Sequence, residues 1–247
     1  SINHATRINP YKLCRIADVG DVPFKSAFNI ENAHDDIFNF IGAMVKAGII
    51  PLSCGGDHSV SLPILRAVAK QPLAFIHIDA HTDTWDSFQG SKFNHGAPFR
   101  RAHEENLIDA TKTVQIGIRG AQNVSEGWDY SKNAGMRVMF VEEVQKRGID
   151  EIIEETRYIV GDAPVYLSFD IDSLDPAFAP GTGTPEIAGL TTPEAMALIR
   201  GFRNLNYVGA DMVEVSPPFD TGGLTSLTGA TVMYELLCVL AEAVSAG

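Results

Sequence analysis

Six side chains of metal-ligating type sit where three apolar runs of this chain end. Phe75-Ile76-His77-Ile78 leads into Asp79-Ala80-His81-Thr82-Asp83, so a β-branched stretch closes on three polar residues at alternate positions. In extended backbone the side-chain period is two, which would send Asp79, His81 and Asp83 out on one side. Val165 to Phe169 likewise closes on Asp170 and Asp172, and Ile49 to Ser53 runs into Cys54-Gly55-Gly56-Asp57-His58-Ser59. Left unpaired, converging carboxylates and imidazoles would carry a heavy desolvation penalty, which a cation offsets. His58, Asp79, His81, Asp83, Asp170 and Asp172 exceed the needs of one ion. They suit two divalent ions about 3.5–4 Å apart, with bridging carboxylates and four negative charges to balance them. Carboxylate-rich donors with two imidazoles favour Mn²⁺. Zn²⁺ would draw more nitrogen or sulfur, and Mg²⁺ rarely accepts imidazole.

What must hold these residues is an alternation of strands and helices. Leu13 to Asp18 reads as a short strand. Ile30 to Ala47 carries Ile37, Phe38, Ile41, Met44 and Val45 at helical spacing and stops at Gly48. Ser59 or Ser61 is placed to cap a helix with Pro63 in its first turn, ending near Lys70. Thr113 to Ile118, Arg137 to Val141, Val165 to Phe169 and Val208 to Val213 read as strands. Ile149 to Val160 is a helix with Ile152, Ile153, Thr156 and Ile159 on one face. Thr191 and Glu194 form a capping box ahead of another helix, and Thr225 to Ala243 is the last. Residues 84–97 and the Pro/Gly-rich stretch after Asp172 are long loops, which points to function. The alternation predicts a single domain over residues 1–247. It is a three-layer α/β/α fold whose mainly parallel sheet has helices on both faces. Ligands of such sheets lie beyond the carboxyl ends of the strands, where every motif above falls.

The bulk numbers agree. A chain of 247 residues with 45% hydrophobic and 20% charged content builds an ordinary globular core. Its net charge of −12 disfavours nucleic acid and anionic membrane as partners. No signal peptide is visible, and no stretch reads as the roughly 20 apolar residues of a transmembrane helix. Three unpatterned cysteines (Cys14, Cys54 and Cys238) form no disulfide framework, which fits a cytoplasmic protein.

His58 in GGDHS, Asp79 to Asp83 in DAHTD, the stretch SFDIDSLDPAFAPGTGTPEIAG from Ser168 to Gly189, and Glu214 in EVSPPFD together resemble the ureohydrolase (arginase–agmatinase) family. The match runs from about Pro51 to the C-terminus. Relative to that family an N-terminal strand and helix are absent from this sequence. The resemblance implies a binuclear manganese enzyme that hydrolyses a guanidinium carbon to urea and an amine, assembled as a homo-oligomer, trimeric or hexameric. It implies one ion held by His58, Asp79, Asp83 and Asp170, and a second by Asp79, His81, Asp170 and Asp172. It further implies that Asp83 carries the proton to the departing nitrogen, that His95 in NHGAP shuttles protons, and that Glu214 pairs with the substrate guanidinium. True arginases carry an Asn where this chain has Trp85, which points to the agmatinase-like branch that includes guanidinobutyrase and guanidinopropionase. A guanidino acid such as 4-guanidinobutyrate or 3-guanidinopropionate is the expected substrate, with agmatine as the alternative. Lys92, Arg100 and Arg119 are the candidates to read a carboxylate tail.

Plainer readings hold for several neighbours. Asp57 reads as a structural hydrogen-bonding partner, His77 as a satisfied core histidine, and His4, His34 and His103 as surface residues. Among other classes, a dinuclear phosphoesterase would add cations for phosphate, where Glu214 brings negative charge. A histone-deacetylase-like hydrolase would use one zinc with fewer carboxylates, and a non-catalytic family member is the remaining alternative.

Overall fold

The computed structural model describes residues 1–26, 28–122 and 125–246. Within them a fully parallel six-stranded sheet runs in the order β1-β6-β5-β2-β3-β4. Its strands are β1 (Leu52–Cys54), β2 (Leu73–Ile78), β3 (Ile108–Ile118), β4 (Arg137–Phe140), β5 (Val165–Asp170) and β6 (Tyr207–Val213). The helices are α1 (Pro10–Leu13), α2 (Ile30–Lys46), α3 (Ser61–Val68), α4 (Pro98–Glu104), α5 (Glu126–Ala134), α6 (Val141–Arg147), α7 (Ile149–Val160), α8 (Thr192–Gly201) and α9 (Leu224–Ala246). From β2 the chain proceeds outward to β3 and β4, then returns to lay β5 on the other side of β2. Reversal of strand order opens a crevice at the carboxyl ends of β2 and β5.

Strand periodicity builds two cores. Ala74, Ile76 and Ile78 of β2, with Leu167 and Phe169 of β5, pack under Ile152 of α7, Leu198 of α8 and Leu236 of α9. The alternate residues Leu73, Phe75 and Tyr166 face Ile37 and Ile41 of α2, Leu62 and Leu65 of α3, and Phe99 of α4. This is the three-layer arrangement that the strand–helix alternation predicts. The capping box at Thr191 and Glu194 is present, with both reciprocal hydrogen bonds made.

Several expectations need correction. Leu13 to Asp18 forms no strand; Pro10 instead starts the short helix α1. Neither Ser59 nor Ser61 caps α3. Asp57 caps a 3-10 turn at His58–Val60, and Ser61 turns its hydroxyl inward to Asp211. Phe38 is exposed, whereas His34, expected at the surface, is buried against Phe93, with neither ring nitrogen hydrogen-bonded among the described residues. His103 is half-buried, with Nδ1 2.8 Å from the Tyr130 hydroxyl. The 23-residue α9 is, by length and composition, apolar enough to cross a membrane, contrary to the sequence reading. Half of its most apolar window is buried inside the fold, where it packs on α1, α8 and β6 as a core helix does.

Candidate metal centre

The six expected ligands meet at the carboxyl ends of β1, β2 and β5, but not by strand extension. β2 ends at Ile78, and the segment that follows turns, with Asp83 in left-handed backbone at φ 51°. Its carboxylate nonetheless comes within 2.9 Å of His58 Nδ1. Asp79 Oδ2 and Asp170 Oδ2 lie 3.2 and 3.1 Å from the same nitrogen. His81 Nδ1 stands 3.1 Å from Asp172 Oδ2 and 3.5 Å from Asp79 Oδ1. Asp79 therefore turns one oxygen to each group. Asp170 joins the first group through Oδ2, while its Oδ1 accepts from the Asp172 amide at 2.8 Å.

Hydrogen bonding determines what His58 presents. The Asp211 carboxylate accepts from the hydroxyls of Ser61, Tyr166 and Ser168, the last at 2.6 Å. Ser168, having donated there, accepts from His58 Nε2 at 2.8 Å. In the neutral ring that leaves a lone pair on Nδ1, which is buried, has no hydrogen-bond partner among the described residues, and faces three carboxylate oxygens. Such an arrangement is repulsive unless a positive charge stands at its centre, so these residues fit a metal ion. A proton can meet the same demand for positive charge. Burial disfavours charge on His58, yet Asp170, Asp79 and Asp83 raise its pKa well above the usual imidazole value. Burial likewise opposes charge on His81, but Asp172 and Asp79 push it up to about 12. Burial and the neighbouring carboxylates raise Asp170 and Asp172. Burial would raise Asp79 too, but His77, His58 and His81 hold it well below the carboxylate range.

A cavity of about 280 Å³ opens over the cluster, lined by His81, Asp83, Asp170, Asp172, His95 and Glu214, and also by Trp85, Gln122 and Glu186. Glu214 is a second carboxylate in left-handed backbone, at φ 68°, and its Oε1 accepts from the His58 amide at 2.6 Å. Burial pushes its pKa up to about 7. Left-handed backbone at a residue other than Gly costs of order 1 kcal/mol and gathers at functional sites. His95 Nδ1 is 3.5 Å from Asp57 Oδ2, which raises its pKa. The Trp85 indole donates to Gln122 Oε1 at 3.2 Å, and the Trp85 amide donates to the Gly96 carbonyl, tying the ends of the loop 84–97 together.

None of the three cations expected to read a substrate tail lines this cavity. Arg119 is buried and donates to backbone carbonyls of Gly117, Asp172, Ser173, Leu174, Glu186 and Ile187, so it anchors the loop after β5. Arg100 pairs with Glu104 and Glu126 over the Tyr130 ring, and the exposed Lys92 lies 3.9 Å from Asp86. His77 is buried and bonded as expected, yet one partner is Asp79, at 2.7 Å, and it belongs to the cluster able to hold a metal. Its position two residues before Asp79 was the available signal. Ser168, Asp211 and Gln115 were missed altogether.

The arginase family model matches residues 1–238. Over 243 residues the chain is 50% identical to a guanidinopropionase of Pseudomonas aeruginosa, covering 98% of this chain and 76% of that one. A guanidinobutyrase of the same organism is 48% identical over 240 residues, covering 96% and 75%. The solved structure of a proclavaminate amidino hydrolase from Streptomyces clavuligerus superposes with a TM-score of 0.87 at 41% identity, covering 95% and 78%. With this site on this sheet, the chain belongs to the arginase family, metal-dependent enzymes that hydrolyse the carbon–nitrogen bonds of linear amidines.

Proposed function

We propose that this chain hydrolyses a linear guanidino compound, in first place a guanidino acid, to urea and a primary amine, using two manganese ions. The observation that carries it is His58 Nδ1, a buried lone pair facing three carboxylate oxygens within 3.2 Å, beneath a cavity that Glu214 also lines. In this reading His58, Asp79, Asp83 and Asp170 hold one ion, and Asp79, His81, Asp170 and Asp172 the other. When bound, the ions supply Lewis acidity that lets water attack at neutral pH. Glu214 pairs with the planar guanidinium, a geometry suited to two parallel hydrogen bonds. Burial raises its pKa, and an arriving guanidinium cation would favour its ionised form. The bond from the guanidinium carbon to the alkyl nitrogen breaks, the water oxygen stays on carbon as urea, and Asp83 delivers a proton to the departing amine. His95, beside Asp57, exchanges protons with solvent. Assembly as a homo-oligomer and residence in the cytoplasm belong to the same reading.

The names of the similar guanidinopropionase and guanidinobutyrase support a guanidino acid. The cavity wall favours a second reading, agmatine. Glu186 lines the wall and, among the described residues, no Lys or Arg does, so a cationic tail is matched in charge. Urea release with added Mn²⁺ from 3-guanidinopropionate, 4-guanidinobutyrate, agmatine and arginine tests both. A guanidino acid should give the highest kcat/KM, and agmatine in first place would establish the second reading. Arginine in first place would refute the inference from Trp85, and silence on all four would sink the proposal.

A further inference from the structure

Four buried polar residues lie side by side across the sheet, one row below the metal-type ligands. Strand pairing sets Asp211 opposite Ser168, Ser168 opposite His77, and His77 opposite Gln115. All four are 0% exposed. The Ser168–Asp211 half acts on His58. The other half ends in Gln115, whose side chain, among the described residues, bonds only His77 and the Thr82 carbonyl.

The orientation of this amide is dictated by its partners. Gln115 Nε2 is 2.7 Å from the Thr82 carbonyl oxygen and 3.1 Å from His77 Nδ1. A carbonyl oxygen only accepts, so the NH₂ must face Thr82; the reverse orientation would set two oxygens against each other. The second hydrogen of the NH₂ goes to His77 Nδ1, which must then present a lone pair. A neutral imidazole with its lone pair on Nδ1 carries its proton on Nε2. Nε2 lies 2.7 Å from Asp79 Oδ2, and the proton is donated there. The other oxygen, Oδ1, accepts from the His81 amide at 2.5 Å. Each oxygen of Asp79 thus has one protein donor while facing its own ligand group.

We infer that Gln115 is a positioning residue: it sets the tautomer of His77, and His77 in turn fixes the Asp79 carboxylate shared by the two ligand groups. With no donor at position 115, His77 can take the opposite tautomer and turn a lone pair on Asp79 Oδ2, which repels the carboxylate from its place. The buried Gln115 Oε1 has no partner among the described residues, so the contacts of this side chain are those of its NH₂. Its NH₂ accounts for its presence. This role rests on the metal-centre reading, for which Mn²⁺ binding by the unaltered chain is the control.

The test uses the full chain with Mn²⁺ as the probe. Gln115→Met keeps the length and removes both donors, and Mn²⁺ affinity should fall about 10–100-fold, as for other partners of metal ligands. His77→Phe should lose a similar factor, and the double variant no more, because the two residues act in series. Gln115→Glu offers only acceptors to Nδ1 and should bind Mn²⁺ no better than Gln115→Met. Nitrogen-15 NMR of the unaltered protein loaded with diamagnetic Zn²⁺ should find His77 protonated on Nε2 alone, a readout that does not depend on any variant folding. Protonation on Nδ1, unchanged affinity in a folded Gln115→Met variant, or losses that multiply in the double variant would each overturn the relay. An unaltered chain that binds no Mn²⁺ would remove the centre and the relay together.

Discussion

On the face of the sheet covered by α7, α8 and α9, β2 presents Ile76 and Ile78, β5 presents Leu167 and Phe169, and β6 presents Ala210 and Met212. One residue along each strand, on the face covered by α2, α3 and α4, stand His77, Ser168 and Asp211, with Gln115 beside them on β3. The backbone is shared, and only the period of two separates the faces. The first face is stabilised by area removed from water, at about 25 cal/mol per Å², and asks only for fit. The second is tolerable because its charge is partnered: Asp211 accepts three hydroxyl donors at 2.6, 2.8 and 2.6 Å. A lone ionised carboxylate there would cost several kcal/mol. The apolar face holds the strands in register, and the polar face uses that register to aim residues able to hold a metal.

The contrast should break most visibly at Asp79, the residue common to both ligand groups. Asp79→Ala should lose both manganese ions and bring urea release to background; elemental analysis finding one ion at full occupancy would show that Asp79 does not bridge. Next comes His95, which lies outside the row. His95→Asn should lower kcat about 10²–10⁴-fold with both ions retained, and small imidazole buffers should restore part of the rate. A loss of activity that only follows metal loss would make His95 a loop residue. Two neighbours on β5 then sharpen the comparison. Leu167→Ala, on the apolar face, should cost about 2–5 kcal/mol in denaturant unfolding and leave the Mn²⁺ affinity of the folded protein unchanged. Ser168→Ala should cost about 1 kcal/mol in the same unfolding experiment while lowering Mn²⁺ affinity about 10–100-fold. Proportional loss of stability and metal in both variants would mean that the faces are not separable.

The ligand-bearing strand ends are legible in the sequence because apolar runs closing on Asp and His leave few other readings. The row beneath them is not. Ser168 and Gln115 are single polar residues inside apolar strands, and only strand pairing brings His77 to Gln115 or Ser168 to Asp211, across separations of 38 and 43 residues. The helix α5 escapes notice because EGWDYSKNA has no apolar stripe, and α4 because its seven residues follow a polar loop. Arg119 looks like a tail-reading cation until the loop after β5 folds over it and occupies its donors with carbonyls. The capping box at Thr191, by contrast, is a local signal and was legible for that reason.

His58 reaches the centre through three atoms. Its amide holds Glu214, its Nδ1 faces the carboxylates, and its Nε2 is fixed by Ser168. The carboxylate proposed to grip the guanidinium is therefore tethered to a residue proposed to hold an ion. The gap between grip and reaction is one residue wide, whatever the substrate carries beyond its guanidinium. Three other lining residues have no such tether among the described residues. Trp85, Gln122 and Glu186 come from three separate loops, and among the described residues none hydrogen-bonds a metal-type ligand through its side chain. The molecule resembles a wrench with one fixed jaw and one adjustable jaw. If Glu214 grips the guanidinium as proposed, loop substitutions at Trp85, Gln122 or Glu186 should change the length of substrate accepted and leave the reacting end as it was.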